Sequence, residues 1–234
     1  MTMSAASHAD SCVNCHRDHN FKVTNKKLYD YHQNWNGSAH DLAAVYCTTC
    51  HGGDSNTGDK KTAHAGMHSA SNERSPIHFK NIPNTCGKCH PAIQKHFSES
   101  KHFKLLAEKG TGPNCVTCHN SMNSKADYRP MIAQACSDCH NKKTGNNPQV
   151  VKEAVVIMQR LTHAEGYRTW AEFYYDSIGK PQEMNDVRAL FKGIAQDLHE
   201  FDFKNLDQES VKLLADLKVL FRKIKLEKKE KNRR

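Results

Sequence analysis

The last third of the chain carries apolar residues at intervals of three and four, the spacing of helices that bury one face. The first predicted helix follows Pro148 and ends at Gly179-Lys180-Pro181. Its apolar positions are Val151, Ala154, Val155, Met158 and Leu161. Two further helices have apolar positions at Val187, Leu190, Phe191, Ile194 and Leu198, and at Val211, Leu214, Leu217, Leu220 and Ile224. These patterns predict a C-terminal helical hairpin or small bundle, with a frayed tail from Lys225 to Arg234.

The residues before this bundle lack such regularity. Gly, Asn, Ser and Pro interrupt them often, and strand-like alternation is almost absent. Short helices over Lys26–Asn36 and Ile93–Lys109, joined by loops, are predicted, so the fold class is mainly α. Only 37% of the chain is hydrophobic and 8% aromatic, which is little for a chain of this length to fill its interior with side chains alone.

All ten cysteines fall into five C-x-x-C pairs, and a histidine follows each pair directly. The cysteines are Cys12, Cys15, Cys47, Cys50, Cys86, Cys89, Cys115, Cys118, Cys136 and Cys139, and the histidines are His16, His51, His90, His119 and His140. C-x-x-C-H is the attachment motif of c-type haem. Its two thiols reach the two vinyl groups of one porphyrin, and its imidazole ligates the iron. The sequence therefore predicts five covalently bound haem c groups, packed into a pentahaem domain over residues 1–145 that precedes a helical domain over residues 146–234.

Two other interpretations of the cysteines explain less. Zinc ribbons use two C-x-x-C pairs for each metal ion, so five pairs would leave one without a partner. A disulfide framework gives no reason for a histidine after every pair. Haem attachment accounts for all fifteen positions.

The second axial ligand of each iron decides between electron transfer and catalysis. A weak internal repeat ranks two histidines first, because an aromatic residue precedes Ser-x-His between two haem motifs in both Trp35–His40 and Phe97–His102. The candidate distal ligands, in decreasing order, are His40, His102, His64, His78, His19, His8 and His68. Met67, Met122 and Met131 are weaker alternatives. Bis-His ligation leaves no open position for a substrate and lacks the thioether that raises the potential of Met/His haems, so it favours low-potential electron transfer.

Several segments between the motifs resemble a known family. C-T-T-C-H-G-G-D, D-K-K-T-A-H-A-G-M and C-G-K-C-H with a later S-K-H are similar to multihaem cytochromes c related to hydroxylamine oxidoreductase and to the tetrahaem cytochrome of ammonia oxidisers. The resemblance covers roughly residues 12–175. It implies a mostly helical fold with stacked haem pairs, and it supports His40, His64 and His102 as distal ligands. Pentahaem nitrite reductases differ, because their active haem has Lys in place of the motif His.

The formal charge of +9 suggests a nucleic-acid partner only until the cofactors are counted. Each oxidised bis-His haem adds about +1 at iron and about −2 from its propionates, so five haems reduce the net charge to about +4. We therefore predict no nucleic-acid partner. No apolar run is long enough for a transmembrane segment. Haem is attached to c-type cytochromes outside the cytoplasm, so we expect a periplasmic or extracellular chain whose export signal has been removed.

Three functions remain open at this point. The first, which we favour over an enzyme, is a carrier that transfers electrons between redox partner proteins. The electrons would hop along closely packed bis-His haems. The second is a haem enzyme in which one five-coordinate iron acts on a small nitrogen or sulfur compound. The third is a subunit that self-associates into an oligomer or a conductive cytochrome filament.

Overall fold

The computed structural model describes residues 10–120 and 129–231, with side chains over 10–120 and 132–230. The fold is mainly α, and no β-strand occurs in these ranges. The chain divides into two compact units. We call residues 10–94 with 102–120 the motif unit, because they carry the first four haem motifs, and residues 95–101 with 129–231 the helical unit. The predicted domain boundary at residue 145 stays a prediction.

Short helices make up the first half of the chain. They are α1 Ser11–His16, α2 Asn20–Thr24, α3 Lys26–Trp35, α4 Ala39–Leu42, α5 Cys47–His51, α6 Lys60–Ala63, α7 Ile82–Gly87, α8 Pro91–Glu99, α9 Lys101–Lys109 and α10 Cys115–His119. Side-chain caps explain where α1, α4 and α6 begin. The side chains of Asp10, Ser38 and Asp59 each accept a hydrogen bond from a backbone amide in the first turn of the helix that follows.

Longer helices dominate the second half. They are α11 Arg129–Gln134, α12 Gln149–Ser177, α13 Asn185–Asp197 and α14 Phe203–Lys231, with 3-10 turns at Ala135–Asp138 and Pro181–Met184. Helix α12 packs against α14. The three predicted C-terminal helices are therefore confirmed. Within the described parts of the chain, no helix combines the length and the apolar character needed to cross a lipid bilayer.

Two sequence predictions about helices are wrong in detail. The single helix predicted over Ile93–Lys109 is broken at Ser100, which is buried and whose amide donates to the Phe97 carbonyl at 3.0 Å. The predicted fraying after Lys225 does not occur up to Lys231, because α14 continues to that residue. Packing explains the longer helix, since the Tyr174 hydroxyl of α12 donates to Glu227 at 3.2 Å.

The helical unit has a conventional side-chain core. The largest cluster is formed by Ile157, Leu161, Ala164, Ile194, Leu206, Leu213 and Leu217. A second cluster contains Ala171, Tyr174, Tyr175, Met184 and Ile224. A third joins α11 to the start of α12 through Ala133, Ala154 and Met158, and Cys136 of the fifth motif packs against it. Burial of these side chains is the main force that holds the long helices together.

Candidate haem sites

Each C-x-x-C-H motif adopts about one turn of helix. The first, second and fourth motifs lie in α1, α5 and α10. In the third, the His90 amide donates to the Cys86 carbonyl at 3.0 Å, and in the fifth, the His140 amide donates to the Cys136 carbonyl at 2.8 Å. Residues three and four apart share a helix face. The two thiols and the imidazole of each motif are therefore presented on one side of a single turn.

Capping residues fix where these turns begin and end. The Asn114 side chain accepts from the amides of Val116 and Thr117 at 3.1 and 3.3 Å, and the Thr117 hydroxyl accepts from the Asn114 amide at 3.1 Å. After the motif histidines, Gly52 and Asn120 have φ of 75° and 58°. Such left-handed positions end helices and favour Gly or Asn. The helices of the second and fourth motifs thus stop directly after their histidines.

The segment that follows the second motif packs against the first. The Asp54 amide donates to the Ala63 carbonyl at 3.0 Å, and the Ser11 amide donates to the Ser55 carbonyl, also at 3.0 Å. A Cβ on Gly53 would lie 2.5 Å from the Ala63 carbonyl oxygen, so only glycine fits this close approach. The two C-T-T-C-H-G-G-D and D-K-K-T-A-H-A-G-M segments singled out in the sequence therefore lie side by side.

This packing brings His64 opposite the first motif. The ring centres of His16 and His64 are 6.2 Å apart. The Nδ1 of His64 donates to the Lys60 carbonyl at 2.8 Å, which leaves the lone pair on Nε2. A ligating histidine commonly has its other ring nitrogen fixed in this way. Burial, and then the neighbouring His64 and His32, lower the pKa of His16, which favours the neutral imidazole that a metal requires.

A second pair joins His40 to the third motif. The ring centres of His40 and His90 are 6.5 Å apart. His40 is held on α4, whose first turn is capped by the fully buried Ser38. Trp35 lies before it with 7% exposure, and its indole nitrogen donates to the Val45 carbonyl at 3.1 Å. The aromatic residue and the serine of the repeat therefore position the histidine.

Both pair distances fit an iron between two imidazoles. Metal–imidazole bonds are about 2.0–2.1 Å long. With about 1.2 Å from each bonded nitrogen to its ring centre, two trans imidazoles on one iron have centres about 6.3–6.6 Å apart. The observed separation of 6.5 Å lies within this range, and that of 6.2 Å lies just below it. The donor set and its spacing thus fit six-coordinate haem iron.

The second half of the repeat has the same local structure. Phe97 and Ser100 are 6% and 3% exposed, and their counterparts in the first half of the repeat, Trp35 and Ser38, are also buried. In both halves a helix begins directly after the serine and carries the histidine at its second position, His40 in α4 and His102 in α9. His102 stays a predicted ligand on the strength of this equivalence.

The remaining candidates lie in different surroundings. His19 and His68 are exposed, and the ring centre of His19 is 5.9 Å from that of Tyr29. His78 is half-buried. His8, Met122 and the Met131 side chain lie outside the described residues, and Met67 packs near Gly53. His32, a further histidine, is half-buried on α3, and its ring centre is 6.3 Å from that of Trp35. No repeat or motif in the sequence marks it as a candidate ligand.

The attachment cysteines of successive motifs are close to one another within the motif unit. Burial, the hydrogen-bonded Asp10 and then Cys47 raise the pKa of the Cys12 thiol to about 12. Burial, followed by the charges of Cys86 and Cys89, raises the pKa of Cys50. Spatial order therefore follows chain order from the first motif to the third.

The third and fourth motifs are in direct contact. The Cys86 thiol donates a hydrogen bond to the Cys115 sulfur, which, together with burial, raises the pKa of Cys86. Helices α7 and α10, which carry these cysteines, pack together. The Asn114 amide group donates to the Phe79 carbonyl at 2.9 Å and fixes the start of α10 against the segment before α7.

Comparison with known proteins gives one relevant match. No protein-family model and no solved structure matches the chain. The chain is 29% identical over 145 residues to the multihaem cytochrome MtrA of Shewanella baltica strain OS185. The aligned region covers 62% of this chain and 35% of that protein. The chain thus spans about a third of the length of this relative. The similarity supports a multihaem c-type cytochrome with covalently bound haem.

Proposed function

We propose that this protein is a pentahaem c-type cytochrome that carries electrons between redox partner proteins by hopping along closely packed bis-His haems. The observation that carries the proposal is the pairing of two motif histidines with two of the predicted distal histidines. His16 faces His64 and His40 faces His90 at the separations expected across an iron. We therefore assign His64 to the first haem and His40 to the third.

When bound, each haem supplies a one-electron redox centre. The residues of the chain determine how that centre behaves. Two imidazoles on one iron leave no position for a substrate, which favours electron transfer over catalysis. The hydrogen bond from His64 Nδ1 to the Lys60 carbonyl orients the ring, and it would increase the donor strength of Nε2 toward a bound haem iron.

The neighbouring attachment cysteines support the hopping mechanism. The charge of Cys47 contributes to the raised pKa of Cys12, the charge of Cys86 contributes to the raised pKa of Cys50, and Cys86 is hydrogen-bonded to Cys115. Porphyrins anchored at such neighbouring thiols lie close to one another. We infer that electrons move through the first four haems in the order of their motifs.

The location and partners follow from this function. Because thioether attachment takes place outside the cytoplasm, we place the protein in the periplasm or outside the cell. Its partners are redox proteins that donate and accept single electrons, and such encounters usually bury a small interface.

Carbon monoxide binding tests the ligand assignment. Reduced wild-type protein should bind no carbon monoxide and should show only low-spin haem by electron paramagnetic resonance of the oxidised form. His64→Gln removes one distal ligand, so it should bind about one equivalent of carbon monoxide per chain. His163→Gln, which removes an exposed histidine of α12 that is not among the candidate ligands, is the control and should bind none. Carbon monoxide binding by the wild type would instead favour an enzyme with one open haem.

A further inference from the structure

A cluster of potential metal ligands lies in the helical unit, outside the haem motifs. His96 of α8, Asp197 at the end of α13 and Glu200 in the turn before α14 each offer one ligand atom, and these atoms all lie within 4.8 Å of one another. The Nδ1 of His96 is 2.5 Å from Glu200 Oε1 and 3.7 Å from Asp197 Oδ1. Three different parts of the fold thus converge on one point.

We propose that His96, Asp197 and Glu200 bind a divalent transition-metal ion of the zinc class. Ligand atoms bonded to one zinc ion at about 2.0–2.2 Å are about 3.3 Å apart in tetrahedral geometry. The observed separations of 2.5 and 3.7 Å lie on either side of this value. Small rotations of the two carboxylates are sufficient to reach it.

The charge of the cluster matches such an ion. One neutral imidazole and two carboxylates carry a charge of about −2, which a divalent cation balances. Further acidic groups lie nearby, because the charges of Asp197 and Asp202 add to the effect of burial in raising the pKa of Glu209. An imidazole ligand favours zinc and its transition-metal neighbours over Mg²⁺ and Ca²⁺, which prefer oxygen alone.

The exposure of the three side chains permits entry of the ion. The side chains of His96, Asp197 and Glu200 are 25%, 45% and 37% exposed, so a metal ion can reach them while water completes its coordination. Without a metal, the Nδ1 proton of His96 holds the imidazole to Glu200. The metal ion takes the place of that proton, so its affinity should fall as the pH is lowered.

The local backbone holds the two carboxylates in place. Phe201, which follows Glu200, has φ of 62°, an unusual conformation for a bulky residue. Its ring packs edge-on against Phe97 at 6.4 Å and against Phe203 at 6.4 Å. The turn between α13 and α14 is thereby attached beside His96, so a bound ion would link α8 to this turn.

Zinc binding by the complete haem-loaded protein tests this site. Protein dialysed against a zinc chelator is titrated with Zn²⁺ by equilibrium dialysis, with zinc and iron measured by mass spectrometry. We expect one zinc ion per chain in addition to the haem irons. His96→Gln and Glu200→Gln should each weaken binding at least tenfold. His163→Gln, which removes an exposed histidine from α12, is the control and should leave the affinity unchanged.

Two further measurements keep the result interpretable. Asp197→Asn changes the most exposed of the three proposed ligands. It replaces the other two variants as the test of weakened zinc binding if they do not fold. X-ray absorption at the zinc edge should show only nitrogen and oxygen neighbours. Failure to retain zinc, or equal affinity in His96→Gln and the wild type, would overturn the proposal. A loss of low-spin haem in His96→Gln would also overturn it, because His96 would then be a haem ligand.

Discussion

The two units of this chain differ in what fills them. Among the described residues of the helical unit, sixteen hydrophobic side chains from Phe97 to Ile224 are buried, and all of them except Phe97 belong to three clusters. In the motif unit, Trp35 and Leu106 are the buried hydrophobic residues among those described. Its other buried side chains are small or polar, such as Ser38, Ser75 and Asn114. One unit is thus organised by side-chain packing, and the other by turns that present cysteine and histidine to cofactors.

Exposed apolar side chains in the motif unit support this contrast. Val23 and Leu42 are 88% and 83% exposed, and Tyr46 and Phe79 are more than one-third exposed. Isolated exposed apolar residues are common in proteins, but here they accompany a very small buried core. We infer that porphyrin faces cover this apolar surface and replace the missing side-chain core.

Loss of haem attachment should have the largest effect and should separate the two units. In the full chain with all ten cysteines changed to serine, we expect amide hydrogens of the motif unit, residues 10–94 and 102–120, to exchange with opening free energies near zero. Amides of α12 and α14 should remain protected, because the two largest clusters between these helices contain no cysteine. Hydrogen exchange with mass spectrometry checks this. Protection retained throughout the motif unit would show that this unit does not depend on its cofactors.

A cavity in the core of the helical unit should lower the stability of the fold and leave the haem absorption unchanged. Leu213 is 1% exposed and lies in the largest cluster, so Leu213→Ala should lower the free energy of unfolding by about 2–5 kcal/mol. The Soret spectrum should not change. Val219→Ala, on the same helix at 64% exposure, is the control and should change stability little. Thermal unfolding followed by far-ultraviolet circular dichroism measures both.

A third change tests the link between backbone packing and haem ligation. Gly53→Ala places a methyl group 2.5 Å from the Ala63 carbonyl oxygen at a φ of +85°. We expect about 1–2 kcal/mol of backbone strain and displacement of His64, visible as high-spin haem and carbon monoxide binding. Gly37→Ala has a similar φ of +74° and open space around its Cβ. It should show the strain without the spectral change, and equal spectra for the two variants would contradict the assignment of His64.

The smallest effect concerns charge in the helical unit. The pKa of Glu209 is raised in the folded state, so between its ordinary and folded values the native chain binds more protons than the unfolded chain. Stability therefore falls as the pH rises through this window. Glu209→Gln should raise the melting temperature at neutral pH and have no effect at about pH 3, where both states are protonated. Asp207→Asn, which removes the ion pair with Arg160, should lower it slightly at neutral pH.

The sequence predicted the helical unit better than the ligand geometry. Periodicity located α12, α13 and α14 because their apolar faces pack against each other. It missed the break at Ser100, since the apolar spacing on both sides continues through a residue whose buried position depends on tertiary contacts. The motifs select the proposed proximal histidines, and the repeat and the resemblance select His40 and His64 as proposed distal ligands.

The sequence could not predict which motif each of these two proposed distal histidines would face. His64 faces a motif that lies 48 positions earlier, and His40 faces one that lies 50 positions later. The connecting loops have no pattern that determines which histidine reaches which motif. Their course depends on contacts such as the approach of Gly53 to Ala63, which become visible only in three dimensions. The cluster around His96 was missed for the same reason, because its ligands are about 100 residues apart.

The contact between Cys86 and Cys115 has a consequence for biogenesis. In an oxidising compartment, two neighbouring thiols from different motifs can form a disulfide, which would block two porphyrins at once. Haem must therefore be attached at the third and fourth motifs before the polypeptide folds and brings the two thiols together. Otherwise both thiols must be kept reduced until haem is attached. Slow cofactor supply should accordingly yield a dead-end product cross-linked between these two cysteines, detectable by peptide mapping without reductant.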